Sequence, residues 1–179
     1  MIKSDLYRYD AQTSILKGFK EPGFQYMYFL RKAKKYKKNS FFGLFYRFII
    51  SRLRYKYGFQ IPIETDIGKG FHIGHFGTIV INANAKIGKN CNIAHSTTIG
   101  KANRGKMEGY PTIGDRVWIG TGSVIVGNIT IGSNCLIAPN SFVNMDIPEN
   151  SLVIGNPAKI IKQKNPTEGY INNLVNEDV

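Results

Sequence analysis

Cysteine is nearly absent from this chain of 179 residues. Cys91 and Cys135 are too few for a disulfide framework, and their spacing matches no zinc motif. No acid or cysteine groups with the three histidines, His72, His75 and His95, at ligand spacing, so no metal is expected. The start lacks the marks of a signal peptide: Asp5 comes early and no apolar core follows, as in a cytoplasmic protein. Charge is missing altogether from residue 117 to residue 145. That run is long enough on paper to cross a bilayer. Glycine, asparagine, serine and a proline recur through it, however, and would lie all round a helix, which excludes a transmembrane segment.

Acids are scarce where bases are abundant. Residues 1–57 hold 14 Lys/Arg against Asp5, Asp10 and Glu21, a net of +11, whereas residues 58–179 hold 10 against nine acids, a net of +1. The chain is a nearly neutral body with a basic N-terminal segment. No nucleic-acid recognition motif accompanies that charge, so no nucleic-acid partner is expected. With 42% hydrophobic and 20% charged residues it is too apolar for disorder and long enough for a core.

A repeat dominates the rest. Isoleucine falls at 67, 73, 79, 87, 93, 99, 113, 119, 125, 131 and 137, with Val143 in the next slot. The period is six with two breaks, and glycine follows at 68, 74, 88, 100, 114, 120 and 132. Six suits neither an amphipathic helix nor long alternating strands. It suits short strands joined by tight turns, one β-branched side chain per strand pointing inward and glycine supplying the turns. Three strands close one triangular coil. The first break is read as a two-residue corner insertion at residues 82–85. The second is the loop of residues 101–110, which must protrude because it has little to bury.

These units resemble the hexapeptide-repeat acyltransferases, which fold as left-handed parallel β-helices and usually assemble as homotrimers. The stretch from about Phe59 to Ile161 is similar to the serine acetyltransferase branch, which includes O-acetyltransferases of capsular and other surface sugars. The matching runs are IGHFGTIV from Ile73, Thr98–Gly100, PTIGDRVWIG from Pro111 and VIGNPAKII from Val153. Three segments are expected: a basic and aromatic helical part over 1–58, the β-helix over 59–165 and, from its polar composition at the chain end, a mobile tail over 166–179. The resemblance further implies acetyl-CoA as co-substrate.

Acyl transfer to an alcohol needs a base, and imidazole is the usual one. The resemblance puts His75 in the catalytic slot. His95 lies one coil further on, two residues after Ile93 as His75 is after Ile73, so the two should stack roughly 5 Å apart, the spacing of neighbouring strands. His72 is read as a solvated residue without a role. By the same resemblance the donor lies along Trp118, Gly120, Thr121, Pro139 and Asn144, with Lys159 and Lys162 near the CoA phosphates. The protruding loop would reach an adjacent subunit and wall its site. Cys91 and Cys135 sit in small inward slots and are not nucleophiles.

The departures fall on the acceptor side. Serine acetyltransferases carry Asp-His where this chain has Gly74-His75, and His-Pro where it has Tyr110-Pro111. A site for a zwitterion should not lose charged contacts. Gly74 and Tyr110 therefore point to a sugar hydroxyl of a surface polysaccharide or its precursor, with serine as the alternative. Two helices are expected over 22–38 and 41–57, capping the open end of the β-helix. Their basic and aromatic residues also suit peripheral contact with an anionic membrane at its inner face.

Overall fold

A computed structural model describes residues 1–175. Four helices come first: α1 (Ile2–Tyr7), α2 (Ile15–Gly18), α3 (Pro22–Lys35) and α4 (Phe41–Tyr57). Pro22 opens α3 where its missing N–H is harmless, and α3 ends at Lys35, three residues short of expectation, because Tyr36 is extended. Ser40 caps α4 by accepting from Gly43 N–H, and Gly58 in the left-handed region closes it.

Short strands then wind into the expected parallel β-helix, three faces around one core. The first face carries Phe59–Gln60, Ile79–Ile81, Thr97–Gly100, Val124–Val126 and Phe142–Val143. The second carries Asp66–Ile67, Lys86–Ile87, Thr112–Ile113 and Thr130–Ile131. The third runs from His72–Ile73 through Asn92–Ile93, Val117–Ile119 and Cys135–Ile137 to Ser151–Ile154. Lys159–Lys162 closes that last edge by antiparallel pairing. Each face sends one aliphatic column inward: 81, 99, 125 and 143; 67, 87, 113 and 131; 73, 93, 119, 137 and 153. All are buried, and each such side chain contributes roughly 1.5–3 kcal/mol of transfer free energy.

The register moves the first insertion. Ile79 pairs with Thr97 and Ile81 with Ile99, so Ile81, not Ile79, holds the column slot. The extra two residues therefore lie between Ile73 and Ile81, in the corner that carries His75, and residues 82–85 form an ordinary corner.

Turn chemistry is also divided differently. Left-handed corner positions are held mainly by Asn90, Asn134, Asn140 and Asn150, with Gly70 and Gly122. Most glycines after the column isoleucines serve close approach instead: a Cβ on Gly88 would stand 2.6 Å from the Gly114 backbone.

The helical segment seals the first coil, whose strand edges would otherwise lack partners. Asp5 of α1 accepts from the amides of Gly70 and Phe71 at 2.9 and 3.0 Å. Arg31 of α3 donates to the carbonyls of Ile67 and Gly68, both at 2.6 Å, and its Nε lies 2.9 Å from Asp5. Tyr26 donates to Ile61 O, Arg8 to Gly70 O, and Tyr9 to Ile73 O. The described part of the tail is docked rather than mobile. Arg8 Nε donates to Asn172 O at 2.9 Å, Asn92 to Tyr170 O at 3.2 Å, and Asn90 makes a two-way bond with the Val175 backbone. Ile171 and Val175 are buried beneath it.

Candidate active site

The enlarged corner after Ile73 projects His75 into solvent, next to Gly74 and the 68% exposed Phe76. One coil on, the ordinary six-residue corner after Ile93 carries His95. The two rings are 5.8 Å apart between centroids and nearly perpendicular, at 82°. Gly77 allows this stacking: its φ is +135°, and a Cβ there would press on His95 at 3.1 Å. Thr121 Oγ1 donates to the His95 carbonyl at 2.9 Å, fixing the next coil beneath it. The His95 Nδ1 is buried without a hydrogen-bond partner.

His75 and His95 open into a cavity of about 390 Å³ with Trp118, Thr121 and Pro139 on its walls. Three residues expected to flank the donor thus meet both histidines. Gly120 is buried beside them, where a Cβ would meet Pro139 N at 2.6 Å. Tyr110, Asn144, Lys159 and Lys162 do not line this cavity. Tyr110 stands at the base of the protruding loop under Lys101, which lies 5.8 Å above its ring. Lys159 and Lys162 are exposed on the closing strand, and Lys162 donates to Glu149 O at 3.3 Å.

Five lining residues were missed, His72, Asn92, Ile93, Ala94 and Tyr170, and two of them matter most. Tyr170 of the tail packs edge-on against Trp118 at 4.9 Å, and nothing periodic in the tail announces it. His72 is no solvated bystander. Its ring lies tilted against Tyr9, 4.3 Å between centroids and 42° between planes, with its Nδ1 buried and unpartnered. Burial lowers its pKa to about 4, helped by the charges of Arg8 and His75, so its ring is neutral near pH 7. Its register with Asn92 and Trp118 was the available signal. His72 and Gly74 also border a second, polar recess of about 220 Å³, lined by Asp10, Gln12, Lys17 and Glu21. A larger cavity of about 570 Å³ lies at the far side of α1, where Lys3, Lys34 and Lys35 surround apolar walls and no histidine enters. Of these three, only the two smaller ones are lined by histidine. Among the described residues no cluster of three His, Cys, Asp or Glu could hold a metal ion.

The family model for bacterial transferase hexapeptide (six repeats) matches residues 110–144. The solved serine acetyltransferase of Neisseria gonorrhoeae in complex with serine superposes with a TM-score of 0.72 at 30% identity, over 89% of this chain and 67% of that one. The chain belongs to the hexapeptide-repeat transferase family. Among other members, the Brucella abortus serine acetyltransferase in complex with coenzyme A gives a TM-score of 0.75 at 28% identity, over 92% of this chain and 66% of that one. The Staphylococcus xylosus serine acetyltransferase is 35% identical over 134 residues, 75% of this chain and 59% of its own length. The chain spans 31 to 59% of the length of the first curated hexapeptide-repeat relatives it matches.

Proposed function

We propose that the chain is an acetyl-CoA-dependent O-acetyltransferase whose acceptor is a small hydroxyl compound of the L-serine type. The observation that carries the reading is the meeting of His75 and His95 with Trp118, Thr121 and Pro139 in one cavity, next to a polar recess. His75 removes the acceptor proton as the oxygen attacks the thioester carbonyl. The tetrahedral adduct then collapses, and the CoA sulfur leaves with the proton carried by the imidazolium. Trp118 and Pro139 give the pantetheine arm an apolar flank, and a backbone amide is the candidate oxyanion donor. Cys91 takes no part: it is wholly buried and its thiol is pushed up to about 12 by burial.

Serine takes precedence over a sugar for two reasons. The relatives named above are serine acetyltransferases, and the recess supplies Lys17, Asp10 and Glu21, charges of both signs for a zwitterion. These stand in for the contacts missing at Gly74 and Tyr110. A sugar hydroxyl is the second reading, favoured by the open, neutral wall at Gly74, where a Cβ would touch nothing closer than 3.6 Å. A homotrimer accompanies either reading. Tyr110 lies off its own chain's cavity, at a loop that can reach a neighbouring copy.

The test is CoA thiol release from acetyl-CoA with L-serine, glycans and nucleotide sugars as acceptors. Serine turnover that falls by about 10²–10⁴ in His75→Ala supports the proposal. Turnover with a glycan alone moves the acceptor to the second reading, and undiminished turnover in His75→Ala removes the base.

A further inference from the structure

Helix α4 is apolar on two opposite sides. At about 100° per residue, Gly43, Tyr46, Ile50, Leu53 and Tyr57 share one side. Ile50 and Leu53 are buried in the core there, Tyr57 packs against it, and Tyr46 stacks on Tyr36. The opposite side repeats the pattern with Phe41, Leu44, Phe45, Phe48 and Tyr55, which stand between 49% and 84% exposed. Single exposed apolar residues need no explanation, but a stripe along a 17-residue helix does.

The surroundings say what can cover it. Residues 22–57 contain ten Lys/Arg and no Asp or Glu. Arg31 is held by Asp5, Lys34 by Thr65 O, and Arg47 faces Glu64. Lys35, Lys37 and Lys38 are exposed just before the helix, Arg52 lies over the Phe48 ring at 5.1 Å, and Lys56 is exposed on the stripe's flank. Two copies joined face to face would press like charges together with no carboxylate between them. An anionic bilayer supplies what is missing, with acyl chains for the phenylalanines and headgroup phosphates for the lysines and arginines. No helix among the described residues is long and apolar enough to cross a membrane, so α4 would lie in the interface rather than span it.

We infer that the outward face of α4 docks on an anionic lipid surface. The docking does not depend on which acceptor the active site uses. The full chain is mixed with vesicles of phosphatidylglycerol and phosphatidylcholine, or of phosphatidylcholine alone, and sedimented. Partition onto the anionic vesicles is expected to be at least about tenfold greater and to weaken at high salt. Phe45→Ser/Phe48→Ser should lower that partition by about tenfold or more, with the unfolding midpoint and CoA release on a soluble acceptor unchanged. Three results overturn the inference: no binding, equal binding to both vesicle types, or a smaller particle by light scattering in the double variant. The last would make the stripe a contact between copies.

Discussion

Replacing His72 with glutamine is expected to flatten the acid limb of the stability curve. In the fold the ring lies against Tyr9 near Arg8 and His75, and its pKa falls from 6.5 to about 4. The unfolded chain therefore binds a proton that the folded chain refuses in the window between those values. Stability owed to the neutral ring is intact above the unfolded value and is lost as pH falls toward the folded one. Going from about pH 7.5 to about pH 4.5, this single group removes about 2.5 kcal/mol. Every other residue is the same in the two proteins, so the difference between the two limbs isolates His72. Urea unfolding followed by circular dichroism at the two pH values gives the four free energies required. Parallel losses in wild type and His72→Gln, within about 0.5 kcal/mol, would falsify the account of a desolvated neutral imidazole.

The buried Asp5–Arg31 pair should be strongly coupled. Asp5→Ala is expected to destabilise by about 3–5 kcal/mol by stranding Arg31. Asp5→Ala/Arg31→Met should lose less than the sum of the single changes, and strict additivity in the double-mutant cycle would contradict the cap described here. Both cysteines should resist thiol reagents in the native protein, since both are buried and burial raises both thiols. A colorimetric thiol titration should count none before and two after denaturant, and rapid native labelling would show that the coils open locally.

The columns of the β-helix were legible because one inward aliphatic per short strand leaves a period of six, which neither a helix nor a long alternating strand produces. The insertion was misplaced for a physical reason. Ile79 and Ile81 both point inward, and a shift of two residues leaves the inside-outside phase unchanged, so hydrophobicity cannot choose between them. Only hydrogen-bond register separates them. The proximity of His75 and His95 followed from counting one coil. The same count carried one step further would have put His72 under Asn92 and Trp118. The tail was illegible because it docks through side chains such as Arg8 and Asn92 on backbone carbonyls, which leaves no repeat to read. Asparagine at the corners was overlooked beside glycine, although its short polar side chain tolerates the left-handed region.

The docked tail also sets an order of assembly. Coils stack on their neighbours, so the β-helix can grow as the chain emerges from the ribosome. The bond from Arg8 to Asn172 instead joins residues 164 positions apart. Tyr170 therefore reaches Trp118 only after every coil has been made. Until then a nascent chain has its histidines in place with that wall of the cavity still open. Completion of the cavity would lag behind the gain of β structure as a separate event governed by chain closure.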